Sequence, residues 1–206
     1  MPMTTTLDLA RRLLALSQCG LHFTPQEYDR ERYREIVEIA TALLAAESNE
    51  HADSLRDRWF VEDGYATPKM DVRGAIFRDD RVLLVREVTD GKWTLPGGWA
   101  DVNDSPSLAV EKEIEQESGF TAKAVKLAAL YDRNLHDHPA YLFHAWKAFF
   151  ICDITGGEAR TSHETDGVEF FPLDALPELS TGRSTEKQIR RMYEHHLDRA
   201  RATEFD

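Results

Sequence analysis

The chain has 206 residues, of which 42% are hydrophobic and 30% are charged, and its formal net charge is −12. This length suits one domain with an extension or two small domains, and the hydrophobic fraction is large enough for a packed core. The net charge is negative, and the sequence contains no run of basic residues. This excludes broad electrostatic binding of nucleic acid, because phosphate contacts need clustered Lys and Arg.

The N-terminal region is predicted to be helical. Apolar residues recur at helical spacing over residues 6–19, where Thr6 is a candidate N-cap and Gly20 a candidate end. A capping-box pattern at residues 24–27 opens a second helix, and a third helix is predicted over residues 50–60. The apolar stripe of the second helix consists of Tyr33, Ile36, Val37, Ala40, Leu43 and Leu44.

These helices are predicted to form a small all-α domain at residues 1–62, followed by a linker at residues 63–68 and a main domain at residues 69–206. A unit this short cannot bury the apolar stripe of its second helix alone. We therefore expect it to form a homodimer and to contribute to a substrate pocket. Docking of the stripe on the main domain is the alternative. Residues 24–60 lack a basic recognition helix, so DNA is not an expected partner.

Targeting and redox features favour a cytoplasmic protein. The N-terminal apolar stretch is interrupted by Asp8 and two arginines, unlike that of a signal peptide. No stretch is long and apolar enough to span a membrane, so no membrane partner is expected. Cys19 and Cys152 are too far apart in sequence for a zinc motif or a disulfide framework, which favours a reducing compartment.

Strand patterns begin after the linker. Met70–Phe77 and Arg81–Glu87 predict a hairpin around Asp79-Asp80. Thr89–Lys92 predicts a second turn, and Trp93–Leu95 a short strand. The later strands are predicted at Ala122–Tyr131, Leu142–Ile154 and Val168–Phe171, with a polar loop at Asp132–Tyr141 and a turn at Gly156-Gly157. A closing helix is predicted at Ser184–Leu197, with Ile189, Met192, Tyr193 and His196 on its inner stripe. Strands around one central helix indicate a mixed α/β layer fold.

The central helix carries paired acidic residues. Ser105 fits its N-cap, Pro106 its first position and Gly119 the position just past its end. Glu113 and Glu117 stand four residues apart, which costs an isolated helix about 0.2–0.5 kcal/mol through like-charge repulsion. A hard divalent cation would reverse that cost, because Mg²⁺ prefers carboxylate oxygens. A solvated acidic helix face is the alternative interpretation.

The segment from Gly98 to Phe120 resembles the Nudix box, G-x5-E-x7-R-E-U-x-E-E-x-G-U, in which U is apolar. The box positions are occupied by Gly98, Asp104, Lys112, Glu113, Ile114, Gln116, Glu117, Gly119 and Phe120. The spacing matches throughout, and Asp104, Lys112 and Gln116 depart from the usual Glu, Arg and Glu. The stretches GLHFTPQEYDRERYREIVEIA, MDVRGAIF and YDRN also resemble a bacterial Nudix group with a helical N-terminal extension. That group includes CDP-choline and ADP-ribose pyrophosphatases.

This resemblance implies a Nudix α/β/α sandwich with a mixed sheet, preceded by the helical domain. It also implies hydrolysis of the diphosphate linkage of a nucleoside diphosphate joined to another group, giving a nucleoside monophosphate and a phosphorylated product. The implied cofactor is Mg²⁺ or Mn²⁺, held by Glu113, Glu117, the side-chain carbonyl of Gln116 and the backbone carbonyl of Gly98. Glu113 and Glu117 are thereby also catalytic residues.

The family often takes its general base from a loop outside the box, and Glu164 is the candidate here. Asp166 and Glu169 are rivals, and an ordinary polar loop is the alternative, because most loop acids face solvent. An enzyme is the first hypothesis. The second is a catalytically weak Nudix domain that binds or senses a nucleotide sugar, a hypothesis motivated by Asp104 and Gln116.

Three residues are predicted to bind substrate: Arg73, Arg133 and Tyr131. A guanidinium suits a phosphate, although Arg73 could instead form a salt bridge at a strand edge. Tyr131 could stack a base, although aromatic residues at strand spacing are more often core. His136 and His138 share a loop with Arg133 and are interpreted as substrate-loop or surface residues.

Overall fold

The computed structural model describes residues 5–47 and 64–206. They fall into two compact units. The first contains the described residues up to Pro68 together with Ala140–His144, and the second contains Lys69–Pro139 and Ala145–Asp206. The helix predicted over residues 50–60 lies outside the described residues. Within the described ranges, no helix is long and apolar enough to cross a membrane.

The helical unit contains α1 (Thr6–Phe23) and α2 (Glu27–Glu47). Thr5, one residue before the predicted cap, is the N-cap of α1, and its side chain and that of Asp8 form a capping box. The prediction that Gly20 ends α1 is wrong, because the helix continues to Phe23. Gly20 instead lies against an aromatic ring of α2, since a Cβ there would stand 2.3 Å from Cζ of Tyr33. The glycine allows the two helices to approach closely.

A small apolar core joins α1 to α2. Its buried members are Ala10, Leu14, Val37, Ala40 and Leu44, and Leu142 packs against them. Val37, Ala40 and Leu44 of the predicted apolar stripe are therefore buried inside the helical unit. Several large apolar side chains of the two helices remain more than one-third exposed: Leu9, Leu16, Phe23, Ile39 and Leu43.

The second unit contains two four-stranded sheets. The first sheet has the order β1-β6-β5-β8, in which β1/β6 and β5/β8 are parallel and β5/β6 is antiparallel. The second sheet is antiparallel, with β3 paired to β2, β4 and β7. The strands are β1 (Lys69–Ala75), β2 (Phe77–Arg78), β3 (Arg81–Glu87), β4 (Trp93–Thr94), β5 (Phe120–Asp132), β6 (Ala145–Gly157), β7 (Thr165–Pro172) and β8 (Glu204–Phe205). The predicted mixed α/β class is confirmed.

Two strand predictions are corrected. The strand predicted at Met70–Phe77 divides at Ile76, so that β1 pairs with β6 and only β2 forms the hairpin with β3. The hairpin turn itself is confirmed, because Asp79 and Asp80 both adopt positive φ, as a two-residue hairpin loop requires. The turn predicted at Gly156-Gly157 is wrong, because both residues extend β6 and pair with β5.

Two helices pack against the sheets of this unit. The helix α3 (Pro106–Ser118) has Ser105 as its N-cap, and Gly119 beyond it adopts a left-handed φ of 76°, both as predicted. It buries Val110 and Ile114 with apolar residues of β1, β5 and β6. The helix α4 (Glu186–Leu197) has Thr185 as its N-cap and contributes Ile189 and Met192 to a second apolar core that includes residues of β1, β3, β5 and β6. A single 3-10 turn (Arg133–Leu135) follows β5.

Candidate active site

The glycine loop, Leu95–Gly98, lies along the free edge of β1. Two hydrogen bonds join it to that strand, because Gly74 N donates to Pro96 O at 2.9 Å and Val72 N donates to Gly98 O at 2.8 Å. The edge of the sheet is thereby covered by the loop that begins the Nudix-like segment. This pairing places the loop backbone at a fixed position beside α3.

Gly97 connects this loop to α3. Its φ is 143°, and a Cβ at this position would stand 2.0 Å from the carbonyl oxygen of Val72, so only glycine fits. The backbone N–H of Gly97 donates to Oε2 of Glu117 at 2.8 Å. The loop therefore needs glycine for its close packing, and its backbone holds one carboxylate of the helix in place.

Glu117 and Glu113 form an acidic pair next to the loop. Glu117 is only 4% exposed, and burial raises its pKa to about 8, against the opposing effects of Arg73 and the Gly97 N–H. Burial also raises the pKa of the half-buried Glu113, and the nearby charge of Glu164 adds to the effect. Gly98 approaches this second carboxylate, because a Cβ on it would stand 2.9 Å from Glu113 Oε1.

The acidic pair fits a divalent cation. Burial raises the pKa of both carboxylates because it disfavours their charged forms, and a cation beside them would favour those forms. Carboxylate and carbonyl oxygens are also the ligands that Mg²⁺ prefers, together with retained waters. Within residues 5–47 and 64–206, no group of three or more His, Cys, Asp and Glu side chains is arranged to hold an ion. The side chain of Gln116 is exposed on the same helix.

Two of the three departures from the Nudix box pair with each other. Nζ of Lys112 lies 2.8 Å from both carboxylate oxygens of Asp104. The shorter aspartate and the lysine thus form an ion pair between the loop before α3 and the middle of the helix. The side chain of Asp104 is 11% exposed, so the contact is largely shielded on the acidic side.

The candidate bases occupy different surroundings. The side chain of Glu164 is 59% exposed, with Oε1 at 3.0 Å from His163 Nε2, and its charge reaches Glu113. Asp166 instead forms an ion pair with Arg86 at 2.6 Å. Glu169 lies on β7, opposite Leu84 of β3, and is exposed. The charge of Glu164 contributes to the raised pKa of Glu113.

The three predicted substrate residues are all buried. Arg73 is 4% exposed and binds Asp71 through two nitrogens, at 2.9 Å each. Arg133 is 6% exposed, and Nη2 lies 3.5 Å from the carbonyl oxygen of Gly182. The hydroxyl of Tyr131 donates to Glu204 at 2.9 Å, and its ring stacks on His136 with the ring centroids 3.9 Å apart. The ring of Tyr131 thus contacts a loop histidine, and its hydroxyl binds a residue of the C-terminal strand.

Sequence reasoning missed three buried charges that interact with Arg73. Asp71 and Lys147 face each other across β1 and β6, with Nζ 2.7 Å from Oδ1. Glu87 ends β3 and binds Arg183 at 3.0 Å. A signal was present for Asp71, because it lies two residues before Arg73 and alternate residues of a strand share a face. Lys147, inside an otherwise apolar run, was a second such signal.

Comparison with known proteins assigns both parts of the chain. Residues 4–59 match the family described as a UDP-X-like, N-terminal oligomerisation domain, and residues 68–193 match the NUDIX domain. The Bacillus subtilis protein YjhB, whose assignment as an ADP-ribose pyrophosphatase is provisional, is 40% identical over 98% of each chain.

Two solved structures extend this comparison. An ADP-ribose pyrophosphatase from Streptococcus suis is 39% identical, with a TM-score of 0.63, and covers 68% of this chain and 100% of its own. A structure titled UDP-X diphosphatase is 32% identical, with a TM-score of 0.65, and covers 98% of both chains.

Proposed function

The chain belongs to the Nudix hydrolases, a family of pyrophosphohydrolases, and we propose that it uses Mg²⁺ or Mn²⁺ to cleave the diphosphate linkage of a nucleoside diphosphate joined to a second group. The products are a nucleoside monophosphate and a phosphorylated second group. The observation that carries this proposal is the buried carboxylate of Glu117, which the Gly97 N–H holds beside Glu113 at the spacing of the Nudix box.

Nudix hydrolases generally need a divalent metal ion. The proposed ligands are the carboxylates of Glu113 and Glu117, the backbone carbonyl of Gly98 and the side-chain carbonyl of Gln116. A bound divalent ion neutralises charge on phosphate oxygens and lowers the pKa of a water molecule. Gly97 keeps the Glu117 carboxylate in its orientation by donating its N–H.

Glu164 is the proposed general base. It lies on the loop before β7, is solvent-accessible, and contributes its charge to the electrostatic surroundings of Glu113. From this position it takes a proton from the attacking water. Asp166 is less suited to that task, because its carboxylate is already paired with Arg86 at 2.6 Å. Arg133 remains a proposed substrate contact.

The substrate class follows from the relatives. The S. suis structure is titled an ADP-ribose pyrophosphatase and another relative a UDP-X diphosphatase. We therefore infer a substrate in which ADP or UDP is joined to a sugar-like group, and CDP-choline remains a candidate because of the resemblance seen in the sequence.

We also infer that the helical unit assembles the chain into a homodimer. Its family is described as an oligomerisation domain, and its two described helices leave large apolar side chains exposed, among them Leu9, Leu16 and Ile39. Apolar groups arranged on one unit favour association with a second copy, and two-fold dimers are the commonest assemblies.

A substrate panel tests the proposed activity. ADP-ribose, UDP-glucose and CDP-choline are each incubated with the protein and Mg²⁺ or Mn²⁺, and phosphate is measured after phosphatase treatment of the products. We expect turnover of at least one compound and none when the metal is chelated. Binding of a compound without turnover under either metal would support a nucleotide-binding module instead of an enzyme.

A further inference from the structure

A buried ion cluster contacts the glycine loop. Asp71 accepts hydrogen bonds from Nε and Nη2 of Arg73, both at 2.9 Å, and from Nζ of Lys147 at 2.7 Å. These three side chains belong to residues that are at most 5% exposed. The two parallel bonds between Arg73 and Asp71 fix the plane of the guanidinium, because a fork of this kind matches a carboxylate in one orientation.

The remaining nitrogen of Arg73 reaches the loop. Nη1 donates to the carbonyl oxygen of Leu95 at 3.2 Å. Two residues further on, Gly97 donates its N–H to Glu117 at 2.8 Å. Arg73 therefore binds Asp71 on one side and, on the other, the glycine loop whose backbone holds Glu117.

The charges around Arg73 also favour its connection to Glu117. Asp71 supplies one negative charge to two cations, so the cluster has an excess positive charge, which is costly in a buried position unless other groups balance it. The further acidic groups whose charge acts on Arg73 include Glu117 and Glu87. Both residues are at most 5% exposed. The carboxylate held by the glycine loop is thus among the acidic groups that act on Arg73.

We propose that Arg73, oriented by Asp71, is a positioning residue that fixes the glycine loop on β1 and thereby fixes the backbone N–H that holds Glu117. This inference rests on the proposed metal-binding role of Glu117. It assigns the guanidinium to the loop, in place of the substrate phosphate that the sequence suggested.

Hydrogen–deuterium exchange of the peptide covering residues 93–100 tests this assignment. Arg73→Lys keeps the charge and removes the fork. We expect the loop amides to exchange at least about tenfold faster in this variant, as for a segment whose local opening has become easier. Lys147→Met is the matched control, because it removes a buried cation of the same cluster and keeps the Arg73–Asp71 pair. Its loop should exchange as in the wild type.

Calorimetric titration with Mn²⁺ in the absence of substrate is the second measurement. We expect the dissociation constant for Mn²⁺ to rise in Arg73→Lys and to stay close to the wild-type value in Lys147→Met. Unchanged loop exchange in a folded Arg73→Lys protein would overturn the proposal. So would a higher KM with unchanged exchange and Mn²⁺ affinity, because that result would assign Arg73 to the substrate.

A further variant covers the case in which Arg73→Lys does not fold. Asp71→Asn keeps the side-chain size and one acceptor oxygen but weakens the pair with Arg73. We expect the loop amides to exchange faster in this variant too, and unchanged exchange would overturn the proposal. Exchange needs no substrate, so failure of the proposed function, seen as absent turnover by the wild type, is distinguishable from failure of this assignment.

Discussion

Glu117 combines burial with a raised pKa, and both properties follow from its position behind the glycine loop. The alternative interpretation from the sequence was a solvated acidic helix face, but the side chain of Glu117 is almost fully covered. Burial disfavours the charged form of this carboxylate, so a bound cation would stabilise that form more than it would stabilise an exposed carboxylate. This difference sets the expectations for two substitutions on α3.

Glu117→Gln should lower kcat by on the order of 100-fold or more, the scale seen when one charge-stabilising group is lost from an active site. The fold should persist, because the amide is of similar size and its oxygen can still accept the Gly97 N–H. Steady-state kinetics with the substrate found in the panel, together with thermal unfolding, measures both effects. Glu115→Gln on the exposed side of the same helix is the control and should behave as the wild type. Near wild-type turnover by Glu117→Gln would show that Glu117 is not a metal ligand.

Gln116→Glu should tighten Mn²⁺ binding, because it restores the carboxylate usual in the Nudix box. The gain should be on the order of 1–2 kcal/mol, as for a hydrogen bond or contact to a charged group. Calorimetric titration measures it, and Ser107→Glu, which adds the same charge near the start of the helix, is the control for long-range attraction. Unchanged or weaker affinity in Gln116→Glu would show that this side chain does not face the ion.

At the scale of elements, two contacts join segments that are distant in sequence. In the helical unit, Gly20 of α1 lies against the ring of Tyr33 of α2. In the main unit, His138 joins the loop after β5 to the α4 region, with Nδ1 donating to Thr181 O at 2.7 Å and Nε2 accepting from Gln188 Nε2 at 2.9 Å. Each contact predicts a change in stability with its own control.

Gly20→Ala should destabilise the helix pair. The added Cβ would stand 2.3 Å from the ring of Tyr33, so the ring must leave its position between the helices, at a cost of about 1–3 kcal/mol for overpacking. The better helix propensity of alanine offsets about 1 kcal/mol of this cost. Urea unfolding followed by circular dichroism measures the difference. Gly182→Ala is the control, because no atom lies within 4 Å of its added Cβ. A Gly20→Ala protein that is more stable than the wild type would contradict the close approach.

His138 should make stability depend on pH. Burial lowers its pKa from 6.5 to about 4, so between these values the unfolded chain binds a proton that the folded chain excludes. Stability should therefore fall as the pH falls from about 6.5 towards 4, since protonation of Nε2 would set two donors face to face. His138→Gln should lose less stability than the wild type between pH 7 and pH 5 in urea unfolding. His163→Gln is the control, because this side chain is 88% exposed. Equal losses in wild type and His138→Gln would refute the assignment.

At the scale of the whole molecule, the two units serve different tasks. The main unit contains the acidic pair, the glycine loop and the buried ion cluster. The helical unit matches a family described as an oligomerisation domain. Its exposed side chains include Leu9 and Leu16, seven residues apart on α1, which places them near each other on one face of the helix.

Light scattering on the full chain should give twice the 23.6 kDa of one chain, and a shortened chain that starts at Pro68 should be a monomer. Leu9→Glu combined with Leu16→Glu should also give a monomer, because charges on a buried apolar interface are costly. Leu127→Glu, at an exposed apolar residue of the main unit, is the control and should stay dimeric. A monomeric wild type at micromolar concentration would refute the homodimer.

The features that the sequence determined by itself are local ones. The bounds of α3 follow from Ser105, Pro106 and Gly119, because caps act within one turn of the helix end. The two-residue turn at Asp79-Asp80 is likewise specified by adjacent residues. The spacing from Gly98 to Glu117 identified the family for the same reason, since all of its positions lie on one loop and one helix.

Tertiary structure alone decided the features that join distant residues. Parallel pairing of β1 with β6 brings Asp71 to Lys147, and no local pattern encodes a partner so far along the chain. The role of Gly20 changed for the same reason, because a glycine that can end a helix can equally admit a neighbouring ring. Arg73 suited a phosphate or a salt bridge in sequence, and only the folded chain placed its guanidinium between Asp71 and Leu95, since hydrogen-bond partners are chosen by packing.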